Sequence, residues 1–456
     1  MFRGCLAKEW GNFEGRSPCP IAIRVLDNLN DLTLPQVSFH SPLSSQLAAM
    51  LITVFISAIA VVVLVPSAIL LLECGAACLA PSERTQAVPG NQARTPAGLR
   101  VAVLVPAHNE AQVIAETLQS IQPQLTPADT LLVVADNCTD TTAIIAEREG
   151  ATVIERIDQE KRGKGYALDY GVQYLAQHRE PDIVILMDAD CYVHPNCIEQ
   201  LTTMAAQRQR PIQSCYVMAT PAEPSIKDRL SAFAFLVKNW VRPLGLSQLG
   251  APCLLTGTGM AFPWTILKNA PLASDNIVED MQLGLDLAIA GYAPLFCPMA
   301  LVTGLLPKAQ DTAIQQRTRW EHGHLKTFIS QAPRLLKAAI GQVRLDLLAL
   351  VGELSIPPIS FLVLLWLTYA FVSLLASLAS DSYLPLLLAT IAGAMLGMAI
   401  LLAWMKAAQE ILPFTTLLMT PLYLLWKIPL YFNFFRKPQT NWNKTKRDTA
   451  IGKRDT

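Results

Sequence analysis

The sequence predicts an α/β domain, built on a mainly parallel sheet with helices on both faces, joined to an α-helical transmembrane region. Three observations carry this. From Arg100 to about Pro307, short apolar runs alternate with amphipathic stretches, a rhythm that produces parallel strands linked by crossover helices. Leu47 to Leu72 is free of charge and long enough to span a bilayer at about 1.5 Å per residue. The composition, 52% hydrophobic and 16% charged, is too apolar for a wholly soluble chain and too polar for a pure membrane bundle.

The charges cancel at formal net charge +0, so no global basic field argues for a nucleic-acid partner. The ten cysteines show no Cys-x-x-Cys pair and no zinc-site spacing. They read as free thiols of a reducing compartment. Cys74 and Cys78 are candidates for acylation, with ordinary membrane packing the stronger competing account.

Taken in order, residues 1–46 are mixed and unperiodic, an N-terminal segment with little expected order. Residues 47–80 hold the first transmembrane helix, which starts too late and runs too long for a secretory signal. Met50, near its beginning, is a candidate natural start. Residues 81–99, rich in Pro, Gly, Gln, Ser and Thr, read as a linker.

The α/β domain spans 100–328. Its strands are expected at Val101–Val105, Leu131–Ala135, Thr152–Glu155 and Ile183–Met187, each followed by a helical stretch, and each ends in polar residues. Ile183–Met187 reads as a strand buried on both faces that stops at Asp188-Ala-Asp190. Ligands bind at the carboxyl ends of such strands. Two acids there with no adjacent base are costly unless a cation joins them, and oxygen ligands of this kind suit Mg²⁺ or Mn²⁺. A merely solvated strand end is the bland alternative.

Residues 329–355 place Arg334, Lys337 and Arg344 among leucines, as interfacial amphipathic helices do. Residues 356–435 hold about three transmembrane or partly re-entrant helices, at Ile356–Leu378, Tyr383–Trp404 and Ile411–Phe435. The second carries Gly393-x-x-x-Gly397, a close-packing motif. Residues 436–456 form a basic tail. Three full spans after a cytoplasmic domain would leave that tail outside, against the positive-inside tendency. The Pro-rich last segment is therefore expected not to be a simple span.

Several motifs occur in a fixed order: Val105-Pro-Ala-His-Asn-Glu110, Ala135-Asp136-Asn-Cys-Thr-Asp140-Thr, Gly163-Lys164-Gly165-Tyr-Ala-Leu, Asp188-Ala-Asp190, Thr256-Gly-Thr-Gly-Met-Ala-Phe262, Glu279-Asp280 and Gln316-Arg-Thr-Arg319-Trp320. Together they resemble the membrane-bound, cellulose-synthase-like glycosyltransferases of family 2, which have the GT-A fold. The resemblance covers residues 100–328 and, in kind, the flanking helices. It implies that Glu110 and Asp136 grip the nucleoside of a UDP-sugar donor, although Asp136 could equally cap the next helix. Lys164 would donate to base or phosphate. Asp190 would ligate Mg²⁺ or Mn²⁺, with Asp188 supporting ion and nucleotide.

The same resemblance makes Asp280 the base of a single, inverting displacement, with Glu279 second in line. A helix-start acid favoured by the dipole is the competing account of Asp280. Arg319 would bind the diphosphate through its planar fork, and Trp320 would offer a ring face to the acceptor. Thr258, Gly259 and Gln316 join Trp320 on the acceptor side. His322 and His324 read as polar lining.

The implied partners are a nucleotide sugar, a saccharide or lipid acceptor and the lipid bilayer, with the domain on the cytoplasmic side of an inner or plasma membrane. A partner subunit of a polysaccharide export assembly is left open. So is a non-catalytic relative, which retention of Asp188, Asp190, Asp280 and Arg319 disfavours. A dinucleotide oxidoreductase is disfavoured because no Gly-x-Gly-x-x-Gly follows the first strand. Two departures stand out. Ala135 replaces the first of two adjacent acids, and the membrane part is lean for threading a polymer.

Overall fold

Alternation of apolar residues in the first strands dictates a sheet covered on both sides. Val101, Val103, Val105, Ile183 and Ile185 point to a core closed by Ile114, Leu118 and Leu201. Ala102, Leu104, Val184 and Leu186 point to the opposite core with Leu168, Leu175 and Phe262. Successive side chains of a strand face opposite sides, so an all-apolar strand must be covered twice. Each such Val, Leu or Ile contributes about 1.5–3 kcal/mol on burial.

The computed structural model describes residues 42–80, 98–305 and 310–420, apart from 222, 275, 277, 381 and 418, together with 424, 428 and 431. Most of the expected N-terminal segment, most of the linker and the basic tail lie outside the described residues. The chain divides into two compact units, Met1–Val54 and Phe55–Thr456. The first is described from Pro42, where the helix Pro42–Ile59 begins.

The second unit contains an eight-stranded sheet of order β3-β2-β1-β4-β7-β6-β8-β5. Its strands are β1 (Val101–Ala107), β2 (Thr130–Asp136), β3 (Thr152–Arg156), β4 (Ile183–Leu186), β5 (Tyr192–Val193), β6 (Ile212–Ala219), β7 (Met260–Pro263) and β8 (Leu295–Leu305). β1 pairs in parallel with β2 and β4, β2 with β3, and β6 with β8. β7 runs antiparallel between β4 and β6, and β5 runs antiparallel to β8. The sheet is therefore mixed but mostly parallel. The βα rhythm accounts for β1 to β4, whose carboxyl ends face one side.

Among the described residues, three helices are long and apolar enough to cross a membrane: Met50–Leu79, Ile359–Ala379 and Leu384–Ala407. The first carries Glu73, an acid beyond the charge-free run that is paired with Arg242 inside the protein. The expected third C-terminal segment is described only at Phe414–Leu417 and a few positions beyond. In the second, Gly393 makes room for an indole, since a Cβ there would lie 2.5 Å from the Trp366 ring. A Cβ at Gly397 would meet nothing within 4 Å, so this pair does not act as one packing motif.

The expected boundary at residue 328 falls inside one continuous helix, Gln310–Gln342. It is followed by Leu345–Ser355. The cysteines among the described residues are all free thiols.

Candidate active site

The strand ends open into a cavity of about 1040 Å³. Glu110 follows β1, Asp136 ends β2, and Asp188 and Asp190 follow β4 by two and four residues. Asp280 enters from the first turn of the helix Glu279–Ile289, and Gln316, Arg319 and Trp320 from the helix Gln310–Gln342. All of these line the one cavity, as does Lys164.

Lys164, the first residue of the helix Lys164–His178, donates to Asp188 Oδ1 and to the carbonyl of Gly257. Its Nζ lies 4.0 Å from Glu279 Oε1. Burial works against its charge, but Asp188, Glu279 and Asp280 outweigh it and raise the ammonium above the ordinary lysine value. Here Lys164 holds acids together rather than standing free for a base or phosphate. Burial foremost, with Asp280 adding to it against the pull of Lys164, pushes the Glu279 carboxyl up to about 7. Burial also raises the Asp188 carboxyl, with Lys164 opposing and Asp190 adding.

Asp280 sits one residue inside a helix whose N-cap is Val278 and carries no side-chain cap bond. It is a first-turn acid, placed where the helix dipole favours a carboxylate. Its carboxylate rests on Gly257, where an added Cβ would lie 3.3 Å from Asp280 Oδ2. Gly257 adopts φ +92, a conformation costly for any residue with a Cβ.

Asp136 accepts from Arg156 Nη1 at 2.7 Å and from Asn137 Nδ2 at 3.1 Å. It caps nothing, since the next helix, Thr142–Arg148, is preceded by Thr141. Arg156 also reaches Asp158 and the Lys161 carbonyl, so the pair pins the 156–161 loop beside the cavity.

Thr258 and Gly259 lie beneath the cavity and do not line it. Thr258 is fully buried, and its Oγ1 accepts from the Asp188 N–H at 3.0 Å. Gly259 has φ +64, and a Cβ there would fall 1.9 Å from Ser214 Oγ. Their expected contact with an acceptor is thus replaced by support of the Asp188 backbone. Gln213, which the sequence reading passed over, bonds both ends of this loop: Nε2 to the Thr258 carbonyl at 2.9 Å, and Oε1 to the Thr256 N–H at 2.8 Å. A glutamine near the start of the mostly apolar strand Ile212–Ala219 was the available signal.

Trp320 packs at a tilt on Phe235, with centroids 5.7 Å apart. Its partner face is therefore fixed by the protein. His324 lines the cavity and His322 is buried away from it.

Asp188, Asp190 and Cys191 bring ligand atoms within 4.8 Å of one another. The two carboxylates suit a hard divalent cation. Burial first and the acids second raise the Cys191 thiol well above its ordinary value.

At the inner end, a π-helical turn, Val237–Val241, presents Lys238 and Asn239, and Arg242 follows it. Arg242 Nε donates to Glu73 Oε2 at 2.8 Å, and its Nη2 lies 2.8 Å from Glu353 Oε2. The sequence reading missed this triad. Its signal was an acid inside an otherwise apolar run.

An α/β domain with paired acids at a strand end, a further carboxylate and an Arg-Trp pair around one cavity defines a group-transfer site for a phosphate-linked donor. The family model described as "Glycosyltransferase like family 2" matches residues 96–323, half of the chain, and the chain belongs to that family. The probable glycosyltransferase YdaM of Bacillus subtilis is 24% identical over 259 residues, covering 54% of this chain and 60% of the relative. The poly-beta-1,6-N-acetyl-D-glucosamine synthase of Staphylococcus aureus is 23% identical over 235 residues, covering 49% and 54%. The chain thus spans a little over half the length of these relatives. A solved mannosyltransferase from Pyrobaculum calidifontis, in complex with GDP-Man and Mn²⁺, aligns with TM-score 0.46 and 19% identity over 83% of this chain and 95% of that one.

Proposed function

We propose that this chain is a membrane-anchored, inverting hexosyltransferase that moves a sugar from a nucleoside diphosphate donor, a UDP-sugar, to a hydroxyl of a saccharide or lipid-linked acceptor. What carries the reading is the placement of Asp190, Asp280 and Arg319 on the wall of one cavity. Asp280 takes the proton from the attacking hydroxyl, and a single displacement then inverts the anomeric carbon. Arg319 holds diphosphate oxygens. Glu110 and the Asp136–Arg156 pair bound the nucleoside end. Lys164 keeps Asp188 and Glu279 from repelling the donor's phosphates. Asp190, with Asp188, would hold Mg²⁺ or Mn²⁺, and such an ion neutralises charge on a departing diphosphate.

Three helices among the described residues that are long and apolar enough to cross a membrane support a site beside a bilayer. Nucleotide sugars are made in the cytoplasm, and the transferase domain faces it in this reading.

The test is product analysis after membranes containing the full chain are incubated with radiolabelled UDP-sugars. Labelled product is expected from one of them, and it should disappear with EDTA and in Asp190→Ala. Undiminished transfer in excess EDTA would contradict the metal assignment. Absence of both product and UDP binding would contradict the transferase reading itself.

A further inference from the structure

The inner end of the cavity carries polar groups that the transfer reaction leaves unused. Its wall there is formed by the π-turn Val237–Val241, by His324 and by Ile356–Ser360, where the apolar span Ile359–Ala379 begins. Lys238 makes no hydrogen bond or ion pair among the described residues. Asn239, 3% exposed, has a buried Oδ1 without a partner, and His324, 4% exposed, has a buried Nε2 without one. The His324 ring lies against the backbone of Leu354 and Ile356, beside that same rim.

Buried polar atoms in folded proteins are nearly always satisfied, so two unsatisfied ones beside a half-buried lysine on one stretch of wall call for a ligand. The carboxamide of Asn239 can turn either its oxygen or its NH₂ inward. π-Turns interrupt helices mostly where function requires it. Burial lowers the Lys238 ammonium below the ordinary lysine value, with Asp280, Glu353 and Glu321 opposing. Of these acids, Glu353 is already held by Arg242.

We propose that Lys238, Asn239 and His324 form a subsite for a phosphate-type oxyanion carried by the acceptor, placed where a lipid headgroup would enter from the bilayer surface. This rests on the transferase reading above and specifies its acceptor. Lys238 supplies the charge, and Asn239 and His324 donate to the oxyanion's oxygens. The rim at Ile356–Ser360 favours a lipid as the source, because it opens the subsite at the start of a membrane span.

The experiment uses the full chain in phosphatidylcholine nanodiscs, saturated with UDP and Mg²⁺ so that the donor's phosphate site is filled. Glycerol 3-phosphate, inorganic phosphate and glycerol are titrated in by calorimetry. Glycerol 3-phosphate should bind and glycerol should not. Lys238→Ala should weaken that binding by about tenfold or more, as loss of a charge-assisted bond does, while Lys238→Arg retains most of it. UDP affinity, which also reports folding, should stay unchanged in both variants. His324→Ala should weaken glycerol 3-phosphate binding in the same direction.

Phosphatidylglycerol added to the nanodiscs should compete with glycerol 3-phosphate, and failure to compete would overturn the bilayer source. Equal binding by Lys238→Ala, equal binding of glycerol, or phosphate binding that UDP abolishes would overturn the subsite. A shifted pH–rate profile in Lys238→Ala with unchanged glycerol 3-phosphate binding would make Lys238 a mere offset to Asp280 and overturn it too. Failure of the wild type to bind UDP would instead overturn the transferase reading, and this inference with it.

Discussion

Arg242 donates to Glu73 at 2.8 Å with both side chains almost fully buried, and so ties the apolar helix Val61–Leu79 to the turn that lines the cavity. Glu353 completes the cluster from the helix Leu345–Ser355 on the far side. A buried pair of this kind is retained for geometry more than for net stability, since desolvation offsets much of the attraction. Here it fixes the inner wall of the site relative to the helix Val61–Leu79.

Removing the arginine strands two carboxylates away from water. Arg242→Ala should therefore destabilise the protein by about 3–5 kcal/mol. The midpoint of denaturant unfolding in detergent measures it. A midpoint equal to the wild type would mean that the cluster is hydrated rather than sealed.

Burial foremost, with Lys238 and Arg242 adding, pulls His324 down to about 3. Its folded value is below its unfolded one of about 6.5, so the unfolded chain binds the extra proton between these values. The sign follows: stability is retained above about pH 6.5 and lost as pH falls below it. Between pH 7.5 and 5.5 the loss from this group is about 1 kcal/mol. His324→Gln should lose correspondingly less over the same interval. Identical pH dependence of unfolding in the two proteins would contradict the assignment.

Gly257 supports Asp280 and accepts from Lys164 while holding φ +92. Gly257→Ala meets both the backbone strain, of order 1–3 kcal/mol, and the Asp280 carboxylate. Turnover should fall by roughly tenfold or more, because small displacements of a reacting group are expensive. UDP affinity should fall less. Unchanged turnover, measured on the same folded preparations, would show that this glycine does not position the base.

The parts of the site legible in the sequence are those that strand ends present locally. Ile183–Met187 followed by Asp188 and Asp190 is a local signal, and so are β1 to β4 and the helices between them. Asp280 was legible through its motif, and its place in the first turn of the helix Glu279–Ile289 agrees with the dipole account as well. What escaped depends on partners remote in sequence. Lys164 closes on Asp188 and Gly257, which no local pattern reveals, and Thr258 supports Asp188 from below. Glu73, Arg242 and Glu353 are brought together only by packing. β6 and β7 were unreadable as a mixed half-sheet because periodicity gives a strand without its direction.

The central claim is that Asp280 is the base, and its most direct test is UDP affinity by calorimetry alongside turnover for Asp280→Asn. Asparagine keeps the shape but cannot take the proton. Turnover should drop by roughly 10²-fold or more, the size of a general-base effect, while UDP affinity stays near the wild-type value. Near-normal turnover in the folded variant would contradict the account and move the role to Glu279.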